Sequence, residues 1–238
     1  MSALKPVPPA APDVAETVHE YILRSLRDAI VSGEFAPGQK LIESDLQARL
    51  GVSRPSLREG LRQLASERLI RMTPNKGPSV AEITWEEAEQ IYEMRELLEG
   101  QAAALFATRA QDVEVMRLKK SLEAFERASK APSGFKDLLD SAKSFYEVIS
   151  QGCGNQMMAE ILTGLFARIN LLRSRSMSMP ERSAESAREM RQLYVAIAAR
   201  DAKASKAASV YHVRQARRAA QLAFEAHAAR AARKQPAA

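Results

Sequence analysis

The stretch Gly51–Leu64, GVSRPSLREGLRQL, constrains the fold of this chain more than any other segment. Its leucines recur at the spacing of one helical face, and arginines with the same spacing form an adjacent face. Ser53 is a favourable N-cap, and Pro55 is tolerated in a first turn because the amide there has no helical partner. The stretch therefore predicts a helix that docks by its leucines and leaves its N-terminal end and basic face free. The apolar face comprises Leu57, Leu61 and Leu64, and the basic face Arg54, Arg58 and Arg62.

The segments on either side of this helix predict a small domain of three helices and a β-hairpin. A helical pattern begins at Thr17 and ends before the turn-forming Ala36-Pro37-Gly38. After the helix predicted from Gly51–Leu64, the helical periodicity of apolar residues gives way to two short extended runs. Gly77, in the turn between these runs, tolerates positive φ. The predicted helices cover residues 17–32, 43–50 and 53–67, and the predicted strands cover 69–73 and 79–83.

From residue 84 onward, every periodic segment is helical. Thr84 is a candidate N-cap, and the acidic residues that follow it suit the positive end of the helix dipole. The predicted fold class is mainly α: an N-terminal winged helix-turn-helix of three helices plus a β-hairpin, followed by an all-α helical bundle domain. The helices of the bundle are predicted at 85–109, 111–129, 135–151, 155–175, 184–200 and 202–230.

Composition and charge exclude several classes of protein. A single cysteine, Cys153, excludes an internal disulfide and indicates a reducing compartment. The N-terminus lacks the apolar core of a signal peptide, and no apolar run approaches the roughly 18 residues of a membrane span. We therefore expect a cytoplasmic protein with no membrane partner. The predicted organisation is a flexible tail at 1–12, the winged helix at 13–83, the bundle at 84–230 and a basic tail at 231–238.

The distribution of charge points to the opening helix more clearly than the net charge of +6 does. Most of the excess lies in residues 201–238, with 8 Lys or Arg against 2 Asp or Glu. Residues 54–76 nevertheless hold six basic side chains against Glu59 and Glu67. A helix N-terminus binds phosphate, and arginine donates to a guanine edge in the major groove. The alternative is an ordinary amphipathic helix whose basic face is only solvated. The preceding short helix and the following hairpin instead favour a helix-turn-helix with a wing. Lys76 would lie at the tip of that wing.

The first domain resembles the N-terminal winged helix of GntR-type bacterial transcription regulators, without gaps over residues 22–83. The resemblance implies a DNA interface on the third helix and the wing. Ser44 stands where many members have an arginine, and Pro55-Ser56 replaces the usual pair, so the base preference is expected to differ. The motifs that carry it are Gly33, Pro37 and Gly38, then Val52-Ser53-Arg54, then Arg58, Glu59 and Leu61, and Asn75 with Gly77. The implied DNA-binding residues are Ser53, Arg54, Pro55, Ser56, Arg58, Lys76 and Gly77.

The second domain resembles, more loosely, the all-helical FCD class of the FadR-like branch over residues 84–220. Most FCD domains hold a divalent metal with one Asp and three His, and the metal binds a carboxylate effector. Here those positions fall at Ala142, Tyr146, Met190 and His212, so the usual metal ligands are largely missing and we expect no metal cofactor. The effector-binding residues implied are Arg95, Tyr146, Asn155, Met190 and His212.

Arg95 carries two interpretations that the sequence leaves open. It matches an arginine that the FCD class places near its effector, where it would grip a carboxylate with two hydrogen bonds. The alternative is an i,i+4 surface pair with Glu99. A pocket containing Tyr146 and Met190 favours an organic or acyl acid that binds without metal.

The sequence as a whole predicts a homodimeric transcription regulator, a repressor rather than an activator, that binds a palindromic operator in double-stranded DNA. A small-molecule effector in the bundle would control it. We find no nucleophile–base pair, phosphate-binding loop or intact metal set, so we expect no enzyme. Two alternatives remain open: a constitutive DNA binder with a non-functional pocket, and a helical protein-interaction module.

Overall fold

The computed structural model describes residues 16–131, 135–179 and 181–234. The chain divides into two compact units, the first ending at Glu82 and the second beginning at Ile83. The first unit contains α1 (Val18–Val31), α2 (Glu43–Leu50), α3 (Arg54–Ser66), β1 (Ile70–Thr73) and β2 (Gly77–Val80). The second contains α4 (Trp85–Arg109), α5 (Asp112–Ala128), α6 (Phe135–Gly152), α7 (Gln156–Met177), α8 (Arg182–Ala198) and α9 (Ala202–Lys234).

The core of the first unit forms where α1 packs against α3. Ile22 and Leu26 on α1 are buried with the three leucines of α3, each of which contributes on the order of 1.5–3 kcal/mol. Gly60 allows the close approach, because a Cβ there would lie 2.5 Å from the Ile22 side chain. The helix predicted from the leucine spacing is thus confirmed, and its basic face points away from this core.

The β-hairpin differs from the prediction in its second strand, which begins at Gly77 rather than at Ser79. Thr73 pairs with Gly77 across a loop of Pro74, Asn75 and Lys76, so the antiparallel ladder starts earlier. Glycine and proline are rare in strands, so the low strand propensity of Gly77 and Pro78 did not indicate that β2 begins there. Pro78 has no N–H to donate, but its carbonyl still accepts a hydrogen bond from Leu41 N at 2.9 Å.

In the described residues of the second unit, all secondary structure is helical, which confirms the predicted fold class. Its α4 packs along α9, and Gly100 lies against Val210 where the two helices approach. The last helix continues to Lys234, beyond the predicted end at 230, because alanine, arginine and lysine are strong helix formers. The predicted tail at 1–12 lies outside the described residues, as does the last part of the tail predicted at 231–238.

Candidate functional site

The N-terminal end of α3 presents the residues that the sequence assigned to DNA binding. Ser53 caps the helix, its Oγ accepting from Ser56 N at 3.3 Å and lying 2.8 Å from Ser56 Oγ. Pro55 occupies the first turn, exposed. The side chains of Arg54 and Arg58 are 65% and 50% exposed, so their guanidinium groups are accessible. A docked helix with a free N-terminal end and two outward arginines is suited to phosphate and base contacts.

A carboxylate that sequence reasoning missed lies between these arginines. Glu43, the first residue of α2, accepts from Arg58 Nε at 2.9 Å and lies 3.7 Å from Arg54 Nε. The hydrogen bond from Arg58 lowers the pKa of Glu43, so the carboxylate stays ionised near neutral pH. Glu43 therefore holds the arginine pair in place and also opposes an approaching phosphate. No periodic signal marks it, because Glu43 and Arg58 are 15 positions apart in the chain, on either side of the helix-turn-helix corner.

The tip of the hairpin places Lys76 in solvent. Asn75 and Gly77 both adopt positive φ, 62° and 78°, which Asn tolerates and Gly adopts without strain. Lys76 N donates to Thr73 O at 3.1 Å and closes the turn, leaving the ammonium group exposed. The wing thus has one cation at its tip.

In the second unit, two residues predicted for the effector pocket meet. Tyr146 on α6 and His212 on α9 stack, with ring centroids 5.6 Å apart, and both are buried. A cavity of about 10 Å³ borders Tyr146, which is the space of one water molecule. Its apolar lining includes Ile149, Leu162 and Phe166.

Arg95 lies in the same interior with its charge already balanced. Its Nε donates to Glu99 Oε1 at 2.7 Å, and the two side chains are 1% and 5% exposed. The i,i+4 pair weighed from the sequence therefore exists, but it is buried rather than on the surface. Its guanidinium also lies over the Tyr92 ring, 5.1 Å from the centroid.

His212 belongs to a buried triad with Glu189 and Arg182 on α8. Glu189 accepts two hydrogen bonds of 2.7 Å from Arg182 and lies 2.6 Å from His212 Nδ1. Burial lowers the pKa of His212 despite the bond to Glu189, so the ring is neutral near pH 7 and its Nδ1–H donates to the carboxylate. Burial opposes ionisation of Glu189, but the bonds from His212 and Arg182 outweigh it and lower its pKa. The triad gives His212 a structural partner that the sequence did not indicate.

Two other predicted residues have local roles. Asn155 caps α7, its Oδ1 accepting from Met158 N at 3.1 Å. Met190 is buried on α8, and its sulfur lies 3.9 Å from Ser186 Oγ. The roles of Asn155 and Met190 in effector binding stay predictions.

Arg173 on α7 was not predicted as a site residue. It is buried, and its guanidinium lies 5.0 Å from the centroid of the Tyr146 ring.

Comparisons with known proteins agree with both halves of this picture. A model described as bacterial regulatory proteins, gntR family, matches residues 19–80, and a model described as FCD domain matches residues 90–215, more than half of the chain. The chain belongs to the GntR family of bacterial transcriptional regulators. Its second unit is an FCD domain. The proteins of this family are regulators, not enzymes.

Individual relatives of this GntR regulator have similar descriptions. The uncharacterized HTH-type transcriptional regulator YdhC of Bacillus subtilis is 27% identical over 71% of this chain and 75% of its own length. The HTH-type transcriptional repressor GlaR of Escherichia coli is 32% identical over 60% and 66%. The structure titled E. coli McbR/YncC superposes with a TM-score of 0.76 at 19% identity, covering 89% of this chain and 99% of that one, which shows a shared fold.

The FCD domain of this GntR regulator does not offer a donor set suited to a divalent metal. Of the four positions that the resemblance aligns with metal ligands, Ala142 and Met190 carry no hard donor, and Tyr146 keeps its proton because burial raises its pKa. His212 donates to Glu189 through Nδ1, which leaves its Nε2 as a single possible metal ligand among these four positions. The described residues contain no group of three or more His, Cys, Asp and Glu side chains that would hold a metal ion. Within the same part of the chain, no helix is long and apolar enough to cross a membrane.

Proposed function

We propose that this GntR regulator is a cytoplasmic repressor that binds a palindromic operator as a homodimer and is controlled by a small-molecule effector in its FCD domain. The observation that carries the proposal is the accessible Arg54/Arg58 pair at the free N-terminus of a docked α3. The described part of the chain does not cover this face, and two exposed guanidinium groups beside a helix N-terminus are suited to the phosphates and base edges of DNA. The similarity to the transcriptional repressor GlaR supports repression, and a dimer with one winged helix per chain matches a two-fold operator.

A second candidate function has its own support. The cavity beside Tyr146 holds about one water, which favours a constitutive DNA binder whose FCD domain takes no effector. Against it, Arg173 Nη2 and Tyr146 OH are buried and have no hydrogen-bond partner among the described residues.

The proposal is tested by selecting genomic DNA fragments with the purified protein at several salt concentrations. We expect enrichment of a short inverted repeat, because each subunit reads one half-site. Arg54→Ala is expected to weaken specific binding by about 1–3 kcal/mol, measured by titration against the selected site. Lys76→Ala, which removes a wing contact to phosphate, should instead reduce the slope of log K against log salt by about 1.

Arg62→Ala is the matched control, since it removes an exposed arginine from the same helix one turn further from the N-terminus. It should leave the half-site preference unchanged. Salt-sensitive binding without an enriched repeat, equal in Arg54→Ala/Arg58→Ala and in the unmutated protein, would remove the docking hypothesis and favour the interaction module.

A further inference from the structure

A row of polar side chains crosses the small sheet of the first unit on its exposed face. Arg71 on β1 and Ser79 on β2 are Cα partners in the antiparallel ladder, and Lys40 forms an isolated antiparallel bridge to Ser79. Directly opposed residues of antiparallel strands point to the same face, so the side chains of Lys40, Ser79 and Arg71 lie side by side. Their neighbours Leu41 and Ile70 are buried, which identifies the other face as the one that packs on the core.

The two cations of this row have no partner among the described residues. Lys40 and Arg71 are exposed, and neither forms a hydrogen bond or an ion pair within that part of the chain. By contrast, Arg24, Arg27 and Arg49 on the helices of the same unit each pair with a glutamate. These helix arginines are held by carboxylates, whereas the cations of the sheet are available to an anionic partner.

The segments that build the sheet contain no carboxylate. Residues 35–42 hold Lys40, and residues 68–80 hold three basic side chains, with no Asp or Glu in either segment. Of the four glutamates that flank these segments, three pair with arginines of the helices, and the fourth lies beside Gly38. The three are Glu34, Glu43 and Glu67, and the fourth is Glu82. The exposed face of the sheet is therefore positive, and the hydroxyl of Ser79 adds a donor between its two cations.

The row is continuous with both parts of the predicted DNA interface. Lys40 precedes by three residues Glu43, which contacts Arg58, so the Cα atoms of Lys40 and Glu43 lie within about 11 Å of each other. Arg71 lies two residues, about 7 Å, before the end of β1, and Lys76 is in the turn that follows. Cations thus follow one another from the wing tip across the sheet to the start of α2, beside α3.

We propose that Lys40, Ser79 and Arg71 form a phosphate-binding surface that holds the DNA backbone beside the operator half-site. This inference rests on the proposed binding of DNA and adds a contact surface beyond α3 and the wing tip. Neighbouring strands are about 4.8 Å apart, so Lys40 and Arg71 are anchored roughly 10 Å from each other. Each DNA strand carries a phosphate for about every 3.4 Å of axis, so the two cations reach separate phosphates of one backbone strand.

The surface sets the affinity for DNA, whereas α3 sets the sequence preference. Contacts to phosphate carry no sequence information, because the backbone is the same at every base pair. They release counterions, so their contribution depends on salt concentration. The surface therefore strengthens binding to operator and to random DNA equally, and more strongly at low salt.

The test is a salt-dependent titration of the full-length protein with a labelled random duplex and with the selected operator. Lys40→Gln/Arg71→Gln removes both charges of the row. We expect the slope of log K against log salt to become shallower by about 2, since each phosphate contact contributes about 0.9. The affinity lost between about 50 and about 200 mM salt should then be about tenfold smaller than in the unmutated protein. The ratio of operator to random affinity should stay within about twofold of its original value.

Arg188→Gln/Lys203→Gln is the matched control, because it also removes one arginine and one lysine, both exposed, but from the FCD domain. It changes the net charge equally and should leave the slope as it was. Ser79→Arg is the converse variant. It adds a cation in the middle of the row and should steepen the slope by about 1, which keeps the inference testable if the double variant does not fold. Circular dichroism checks the fold of each variant.

Several outcomes would overturn the inference. An unchanged slope in Lys40→Gln/Arg71→Gln would do so, and polyglutamate that bound the unmutated protein but not this variant would then assign the row to an acidic protein. An equal reduction in the control would show that only net charge matters. A selected operator together with an unchanged slope removes this inference alone, since operator selection depends on Arg54. A protein that bound neither duplex at any salt concentration would remove the proposed function as well.

Discussion

Arginine serves opposite purposes in the two units of this protein. On α3, Arg54 and Arg58 are half or more exposed and share one carboxylate, Glu43, at the edge of the first unit. In the FCD domain, Arg95 and Arg182 are almost completely buried, each with its own glutamate. Exposed arginines are free to exchange their partner for DNA, because water screens and competes with a surface ion pair. Buried arginines are fixed, because separating them from their partners leaves a charge without water.

The prediction with the largest expected effect compares exposed with buried arginines by removing one carboxylate partner from each unit. Glu189→Ala would leave Arg182 buried without a counter-charge and should lower the free energy of unfolding of the bundle by about 3–5 kcal/mol. Glu43→Ala removes an exposed pair and should cost less than about 1 kcal/mol. Urea denaturation followed by circular dichroism measures both. Equal losses in the two variants would show that burial does not separate the two kinds of arginine.

The second prediction concerns the stability of the folded protein at acidic pH. Both His212 and Glu189 have pKa values lowered in the folded protein, from ordinary values of 6.5 and 4.5. The unfolded chain therefore binds more protons than the folded one as pH falls, so stability present above pH 6.5 is lost progressively below it. Each group contributes at most about 1.4 kcal/mol per pH unit.

The groups that face His212 are Glu189, Arg182, Arg95 and the stacked Tyr146. His212→Gln should therefore flatten the dependence of stability on pH between 6.5 and 5, measured by urea denaturation across that range. A steeper loss in the variant would contradict the lowered pKa of the histidine.

The smallest expected effect sharpens the comparison on the DNA side. Glu43→Gln keeps the shape of the side chain but removes the charge that holds Arg58. We expect tighter binding to random DNA and a slope of log K against log salt that is steeper by about 1, because one more cation reaches phosphate. Electrophoretic mobility shifts with random and operator DNA measure the change. If Glu43 only stabilises α2, both affinities will stay as they were.

Most of the fold followed from local patterns. The helices were predicted close to their observed bounds, because the signals used act within one or two turns. These signals are the leucine spacing of α3, the N-caps Ser53 and Thr84, and the glycine and proline residues that end helices. The start of β2 was wrong because cross-strand pairing with Thr73, rather than the propensity of Gly77 and Pro78, decides where the ladder begins.

The exposure of the residues predicted to bind DNA followed for the same reason, since an exposed face and a helix N-terminus are properties of a single helix. Glu43 was missed because its partner lies across the corner between α2 and α3. Arg173, Arg182 and Glu189 were missed because a charged residue on a helix is ordinarily solvated, and only packing reveals that it is buried.

The sequence by itself determined the helices, the division into a winged helix and a bundle, and the basic face of α3, since these depend on periodicity and caps along a contiguous segment. Tertiary structure alone decided which charges are paired. Helices distant in the chain bring Tyr146, Arg173 and His212 together, and among the described residues Arg173 Nη2 is then buried without a hydrogen-bond acceptor. The physical reason is that a charged side chain carries a desolvation penalty only once the surrounding helices have excluded water from it.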